Sequence, residues 1–208
     1  MKFNSEKTIE RVSLYRRQLF RVMSQGIKSI YSHELAERIG ATAAQVRRDL
    51  MEIGFKGSSK KGYEVEGLIK FISDFLDNPE CEKVVLVGVG NLGRALLSFF
   101  TARRPNLKIV AAFDQDPMKN GRVIHGCRCY GIDELEQVVA ETQSKVAILA
   151  VPSKEAQGVA ERLLKAGVKG IVNFAPVYLQ LPVKVSVENI DVTMALEKVS
   201  FLARQKTV

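Results

Sequence analysis

Three glycines, at positions 88, 90 and 93, restrict the fold more than any other feature of this 208-residue chain. They form the pattern G-x-G-x-x-G, which follows an apolar run typical of a strand (83–87) and precedes a stretch typical of a helix (94–100). In that context Gly88 allows a tight turn, Gly90 lets a phosphate approach the backbone, and Gly93 lets the helix pack closely on the strand. Since a helix N-terminus attracts anions, the pattern predicts a dinucleotide-binding fold.

Asp114 supports this prediction and narrows the ligand. It ends the next predicted strand, at 108–113, and lies 21 residues after Gly93. A carboxylate near this spacing binds the ribose hydroxyls of the adenosine and repels a 2′-phosphate, so NAD(H) is favoured over NADP(H). Two nearby cations, Lys119 and Arg122, weaken that preference.

Predicted strands and helices alternate through the rest of the chain, which is typical of a parallel sheet. The strands are expected at 146–151, 170–174 and 184–187, and the helices at 133–141, 154–166 and 192–206. Because ligands of such sheets bind at the carboxyl ends of the strands, Pro152 and Asn173 are candidates for the nicotinamide end. The predicted cofactor-binding residues are Gly88, Val89, Gly90, Asn91, Leu92, Gly93, Asp114, Pro152 and Asn173. Another nucleotide or coenzyme A is the alternative ligand, since a fold does not fix its ligand.

The positive charge of the chain is concentrated in its first third. The net charge is +8, and residues 1–62 carry 13 Lys/Arg against 6 Asp/Glu, whereas residues 63–208 carry 18 against 17. An excess of this kind points to a polyanion partner, with nucleic acid the first candidate. A solvated basic surface is the alternative interpretation.

The same third has the pattern of a helix-turn-helix. A first helix is predicted over 5–24, a second that Ser32 caps and Gly40 ends, and a third that begins at Thr42. Thr42 and Gln45 have capping-box spacing, in which the threonine oxygen accepts from the Gln45 amide and the Gln45 side chain reaches back. Two short helices joined by a glycine-containing turn predict a helix-turn-helix whose last helix enters a major groove. A plain pair of antiparallel helices is the alternative.

The faces of the third helix that point away from the core supply the candidate DNA contacts. Glutamine pairs with adenine, and arginine binds guanine or phosphate. A polar segment flanked by Gly57 and Gly62 follows this helix and predicts a β-hairpin wing over 55–65. The predicted DNA-binding residues are Thr42, Ala43, Ala44, Gln45, Arg47, Arg48, Lys60 and Lys61.

Several other classes of protein are disfavoured. No stretch reaches 18 apolar residues and the N-terminus lacks a secretory signal, so we expect a cytoplasmic protein without a membrane span. Three cysteines and two histidines predict free thiols and no metal site, with a thiol switch at Cys127 and Cys129 as the alternative. Apart from His125, the chain offers little for a dehydrogenase proton relay, so we expect no enzyme; an NAD-dependent oxidoreductase is the alternative.

Taken together, the motifs resemble the Rex family of bacterial redox-sensing transcriptional repressors. The segments that carry the resemblance are 8–15, 42–50, 87–96, 112–114, 147–152 and 173–176. The resemblance implies an α/β chain with a winged helix-turn-helix domain (1–78), a Rossmann-like NAD(H)-binding domain (79–190) and a C-terminal helix (191–208) swapped in a homodimer. It also implies that double-stranded operator DNA is bound when NADH is scarce and released when NADH accumulates.

The resemblance assigns two further residues and shows two departures. Arg11 on the first helix and Asp191 before the last helix occupy places that link the two domains in the family. Some members pair that acid with a tyrosine after the glycine-rich turn, where this chain has Phe99. The wing sequence, 55–63, also differs from the usual Phe-Gly-x-x-Gly-x-Gly-Tyr.

Overall fold

Pro79 ends the first of two units into which the chain folds. The structure, a computed structural model, describes residues 5–57, 62–101 and 106–205, without the side chain of residue 101. Contacts between residues divide the chain into Met1–Pro79 and Glu80–Val208. Each unit has its own apolar core.

The described residues of the N-terminal unit form four helices and two short strands. They are α1 (Glu6–Ser24), β1 (Ser29–Ile30), α2 (Ser32–Glu37), α3 (Ala43–Glu52), β2 (Tyr63–Glu64) and α4 (Val65–Leu76). The apolar faces of these helices enclose a core whose largest fully buried side chains are Tyr15, Leu19, Leu35, Leu68 and Ile72. The helix-turn-helix is formed by α2 and α3, with Gly40 at φ +69° in the turn between them.

The start of α2 differs from the prediction. Ser32 is the first helical residue, and Tyr31 holds the capping position that the sequence assigned to Ser32. The Glu34 carboxylate accepts a hydrogen bond from the Tyr31 backbone N–H at 2.6 Å. The Ser32 hydroxyl instead accepts one from Arg47 at 3.0 Å, which joins the two helices.

The predicted hairpin wing over 55–65 is wrong in its strand pairing. The strand β2 pairs antiparallel with β1, which precedes α2, and residues 55–57 form no strand. Ile30 and Tyr63 lie opposite each other in this pairing and are both buried, so the core determines the partner of β2. Lys60 and Lys61 lie outside the described residues.

The C-terminal unit alternates strands and helices as predicted. Its elements are β3 (Glu82–Val87), α5 (Asn91–Thr101), β4 (Leu107–Asp114), β5 (Val123–Ile124), β6 (Cys127–Gly131), α6 (Leu135–Thr142), β7 (Val146–Leu149), α7 (Ser153–Lys165), β8 (Gly170–Asn173), β9 (Ser186–Asn189) and α8 (Val192–Gln205). Short 3-10 turns at Pro117–Lys119 and Ile132–Glu134 precede β5 and α6.

The sheet has the strand order of a Rossmann fold, which confirms the predicted fold class. The order is β5-β6-β4-β3-β7-β8-β9, and every pairing is parallel except β5 with β6. Without the edge strand β5, the six parallel strands follow the order 3-2-1-4-5-6. In such a sheet the crevice beside the first strand, β3, is where a ligand binds.

The sequence did not predict the hairpin of β5 and β6, and the bounds of some strands differ from the predicted ones. His125 lies in the tight turn of this hairpin at φ +48°. Cys127 and Cys129 point inward from β6 and are buried. The strand β7 ends at Leu149, where 151 was expected, and β9 lies at 186–189, where 184–187 was expected.

The last helix, α8, has no buried residue. Its apolar side chains Leu196, Val199 and Phe201 are between 54% and 66% exposed. These apolar side chains are therefore largely uncovered among the described residues. None of the helices in the described ranges is long and apolar enough to cross a membrane.

Candidate nucleotide cavity and recognition helix

The three motif glycines have different structural reasons to be glycine. Gly88 has φ +96°, and a Cβ there would collide with the backbone oxygen of Ala150. A Cβ on Gly93 would overlap the backbone oxygen of Gly88, so α5 could not pack as closely on the turn. Gly90 has nothing within 4 Å of its Cβ position. The fold therefore requires Gly88 and Gly93, whereas Gly90 keeps space open above the turn.

A cavity of about 500 Å³ opens at the carboxyl ends of β3, β4 and β7. Its lining residues are Val87, Gly88, Gly90, Asp114, Gln115, Lys119, Ile132, Ala150, Val151, Pro152, Lys154, Glu155, Gly158, Val159 and Arg162. The structure thus brings four predicted cofactor residues together: Gly88, Gly90, Asp114 and Pro152. The size lies within the range of small-molecule and cofactor sites.

Asp114 is the anionic centre of this cavity. Its Oδ2 accepts hydrogen bonds from the backbone N–H of Val89 at 2.7 Å and from Lys119 Nζ at 3.0 Å. Its Oδ1 accepts one from the backbone N–H of Asp116 at 2.9 Å. Burial alone would raise the pKa of Asp114, but these hydrogen bonds and the Lys119 charge outweigh it and hold the pKa below its usual value. The carboxylate is therefore ionised at neutral pH and tied to the glycine-rich turn.

Other predicted cofactor residues lie outside the cavity lining. Val89 is buried and acts through its N–H, while Asn91 and Leu92 are exposed at the start of α5. Asn173 is buried, and its side chain donates to the Val177 oxygen and to Asn189 Oδ1, each at 2.8 Å, and accepts from the Ala175 N–H at 3.0 Å. These bonds use the Asn173 amide to fix the end of β8, so its proposed contact with nicotinamide has no support from its position.

Sequence reasoning missed one wall of the cavity, which α7 supplies. Glu155, Gly158, Val159 and Arg162 recur at helical spacing and so face the same side. Arg162 binds Glu136 through two hydrogen bonds of 2.6 Å and donates to the Ile132 oxygen at 2.9 Å. The rule that selected Pro152, a residue at the end of a strand, would have found the neighbouring Lys154 and Glu155. Arg162 carried no such signal.

Cys127 and Cys129 behave as core residues. Burial is the main cause that raises the pKa of both thiols, to about 11 for Cys127. They are therefore protonated at neutral pH, when a reactive or metal-binding cysteine would be a thiolate. Across the described ranges, no group of His, Cys, Asp and Glu could hold a metal ion.

Only one of the two hydrogen bonds of the predicted capping box forms at the start of the third helix, α3. The Thr42 hydroxyl oxygen accepts a hydrogen bond from the Gln45 backbone N–H at 3.1 Å. The Gln45 side chain does not reach back; it donates forward to Asp49 Oδ1 at 2.7 Å. The carboxylate of Asp49 is the stronger acceptor and lies one turn along the same helix face. Among the predicted DNA contacts on this helix, Thr42, Ala44, Arg47 and Arg48 are exposed and Ala43 and Gln45 half-buried.

Asp49 is fully buried and holds α1 against α3. It accepts hydrogen bonds from Arg11 Nε at 2.7 Å, Arg11 Nη2 at 2.8 Å and the Tyr15 hydroxyl at 2.6 Å. Burial would raise the pKa of Asp49, but the bonds from Arg11, Tyr15 and Gln45 lower it below its usual value. The apolar pattern of α3 gave no indication of this buried acid.

The two residues that the resemblance assigns to coupling have partners within their own units. Arg11 binds Asp49, as described above. The Asp191 Oδ1 accepts a hydrogen bond from the Met194 backbone N–H at 2.9 Å and so caps the start of α8. Their role in linking the units stays a prediction.

Two family profiles match separate parts of the chain. Residues 5–50 match the family described as "Putative DNA-binding protein N-terminus", and residues 80–177 match the "CoA binding domain" family. The first match includes the helix-turn-helix except the last two residues of α3, and the second includes the glycine-rich turn and the whole cavity lining.

Curated relatives match over nearly the whole length. The chain is 42% identical to the redox-sensing transcriptional repressor Rex of Carboxydothermus hydrogenoformans, with 96% of each chain covered. It is also 42% identical to that of Chloroflexus aggregans, over 95% of this chain and 94% of the relative.

Solved structures agree with these relatives. The crystal structure of RSP, a Rex-family repressor, in complex with β-NADH has a TM-score of 0.87 at 30% identity and covers 100% of this chain and 97% of RSP. The complex of RSP with β-NAD⁺ and operator DNA has a TM-score of 0.91 at 31% identity, with 100% and 95% covered. On these matches, the chain belongs to the Rex family of redox-sensing transcriptional repressors.

Proposed function

We propose that this chain is a DNA-binding repressor that senses the ratio of NADH to NAD⁺. It binds operator DNA when NADH is scarce and releases it when NADH binds. The observation that carries this proposal is that one chain joins a capped recognition helix, on which Arg47 and Arg48 are exposed, to a Rossmann cavity centred on an ionised Asp114. The complexes of the related RSP with NADH, and with NAD⁺ and operator DNA, support both halves.

The proposed cofactor is NADH, with NAD⁺ as its competitor. Asp114 suits ribose hydroxyls, and Lys119, the nearest cation, is already bound to it. The open space at Gly90 suits the pyrophosphate, next to the N-terminus of α5. Calorimetric titration with NADH, NAD⁺, NADPH and coenzyme A tests this choice. We expect NADH to bind most tightly; tight binding of coenzyme A without NADH binding would support the alternative that the second family profile suggests.

If DNA binds to α3, removing an exposed arginine from this helix should lower the affinity for all DNA sequences by a similar factor. Arg48→Ala is expected to weaken binding to operator and to unrelated DNA by similar factors, about tenfold, and to reduce the salt slope of log K by about 1. The reason is that Arg48 is exposed on α3 and suits a phosphate contact. Fluorescence anisotropy at several salt concentrations measures both effects. Lys70→Ala removes the same charge from the exposed side of α4 and should change neither. Equal effects of the two substitutions would contradict the placement of DNA on α3.

We propose that the chain regulates without turnover. The cavity lining contains no His, Cys or Tyr in the described residues, and His125 is exposed in the turn between β5 and β6. Histidine, cysteine and tyrosine are thus not available in the described lining as the proton donor that hydride transfer requires. NADH oxidation in the presence of aldehydes or keto acids should not exceed the background rate; sustained turnover would favour the oxidoreductase alternative.

A repressor acts where its operator lies, and on that ground we propose a cytoplasmic location.

We propose that the chain works as a homodimer in which α8 packs on the second subunit. Helix-turn-helix proteins read two half-sites as dimers, and the exposed apolar face of α8 needs cover. Phe201→Asp is expected to raise the dimer dissociation constant about 100-fold or more, since it buries an unpaired charge. Sedimentation velocity measures the shift, and Lys198→Ala gives the same charge change on α8 as a control. A dimer that tolerates Phe201→Asp would show that α8 is not in the interface.

A further inference from the structure

One carboxylate fixes the direction of the glutamine amide on the recognition helix. Gln45 Nε2 lies 2.7 Å from Asp49 Oδ1. An ionised carboxylate only accepts hydrogen bonds, so the nitrogen of the amide must face Asp49 and its oxygen must point away. The main chain of Gln45 is fixed as well, because its N–H donates to the Thr42 hydroxyl. The amide therefore has one defined orientation before any ligand arrives.

Asp49 can set this orientation because it is itself immobilised. Arg11 contacts both of its oxygens, and the Tyr15 hydroxyl donates to Oδ2 at 2.6 Å. The Asp49 side chain is 0% exposed, and Tyr15 is also fully buried. Rotation of the carboxylate would break charge-assisted hydrogen bonds out of reach of water. The position of the Gln45 amide is thus determined by residues of α1, on the far side of α3 from its exposed face.

We propose that Asp49 is a positioning residue for base recognition, which holds the Gln45 amide so that its oxygen and its second N–H face the major groove. An oxygen acceptor beside an N–H donor matches the N6 donor and N7 acceptor on the edge of adenine. This inference rests on the proposed function. It adds that sequence preference at one position of each half-site depends on a buried acid that does not touch DNA.

Asp49→Asn tests the proposal with a side chain of the same shape. Asparagine offers a donor and an acceptor, so it can bind Gln45 with either end of the amide and no longer selects one orientation. The operator position to examine is the one at which Gln45→Ala loses its base preference. A bidentate pair of this kind discriminates by about 5- to 140-fold in affinity. We expect anisotropy titrations of Asp49→Asn to show less than about threefold discrimination at that position, with affinity for unrelated DNA unchanged.

A second variant keeps the test decisive if Asp49→Asn fails to fold. Tyr15→Phe keeps the buried ring but removes one of the hydrogen bonds that hold Asp49, so the discrimination between bases should fall in part. In a protein that already carries Gln45→Ala, adding Tyr15→Phe should lower this discrimination no further. The proposal is overturned if folded Asp49→Asn or Tyr15→Phe retains full discrimination, if they weaken binding to all DNA alike, or if Gln45→Ala changes no base preference. Failure of the unmodified protein to prefer any operator would reject the repressor function itself.

Discussion

Asp114→Ala is expected to weaken NADH binding about 100-fold or more, while the cofactor-free protein keeps its affinity for operator DNA. The carboxylate would contact the ribose, and it also holds the Val89 N–H and Lys119 in place beside the glycine-rich turn. Hydrogen bonds to charged groups contribute about 1.5–3 kcal/mol each, so the loss of two corresponds to a factor of this size. We propose that operator DNA binds to the other unit, to which Asp114 does not belong.

Calorimetry with NADH and anisotropy with operator DNA measure the two sides of this prediction. Asp116→Ala is the matched control, because it removes the same charge two residues away. The Asp116 carboxylate caps the 3-10 turn at Pro117–Lys119 and lies 3.8 Å from Lys119 Nζ, but it is not among the residues that line the cavity. Normal NADH binding by Asp114→Ala would show that the carboxylate is not the ribose ligand. Loss of both activities in a folded variant would contradict the division of roles between the two units.

Gly90→Ala is expected to abolish NADH binding without destabilising the protein, whereas Gly93→Ala should destabilise it. Nothing lies within 4 Å of a Cβ on Gly90, so the fold has room for the methyl group that a pyrophosphate would meet. A Cβ on Gly93 overlaps the backbone oxygen of Gly88, so α5 must shift; overpacking of this kind costs about 1–3 kcal/mol or more.

Thermal unfolding and NADH titration of both variants distinguish these effects. Gly90→Ala should unfold at the temperature of the unmodified protein and bind NADH at least about 100-fold more weakly, in line with the loss of about 3 kcal/mol. If Gly90→Ala bound NADH normally, the phosphates would not approach the turn at this glycine.

Local patterns in the sequence predicted the parts of the fold that depend on local contacts. The helix α1 was predicted within one residue, and α3 begins directly after Thr42, as its capping signal indicated. The G-x-G-x-x-G pattern, followed by Asp114, predicted the Rossmann turn and its acid because the chemistry of the turn requires these residue types at this spacing.

Contacts between residues that are distant in the sequence could not be predicted from local patterns. The strand β2 pairs with β1 across the whole helix-turn-helix, so the local turn signal around Gly62 suggested the wrong partner. Gln45 turned towards Asp49 because Arg11 and Tyr15, on α1, hold that acid at the required place. Asn173 is the last residue of β8, at the edge of the sheet where ligands bind, but its amide is bonded to the loop after β8 and to Asn189 of β9. Spacing alone shows none of these contacts.

The proposed switch has a minimum energetic requirement. Two recognition helices must lie about 34–36 Å apart to read successive major grooves, and NADH must favour a dimer with another spacing. To change from almost fully bound to almost fully released, the cofactor must favour the released state by about 5.5 kcal/mol. Two sites with additive effects share this as roughly 2.7 kcal/mol each. NAD⁺ must discriminate less between the two states, since otherwise the protein would sense total cofactor.

The most direct test of this account is the fluorescence anisotropy of a labelled, near-palindromic operator, bound by the unmodified protein at fixed salt and titrated with NADH and then with NAD⁺. We predict that NADH releases the operator and that NAD⁺ is far weaker. If the protein does not bind an operator of the Rex family, a DNA sequence selected from a random pool for binding to this protein takes its place. Tight binding that is indifferent to both cofactors, or release by both at equal concentrations, would contradict redox sensing.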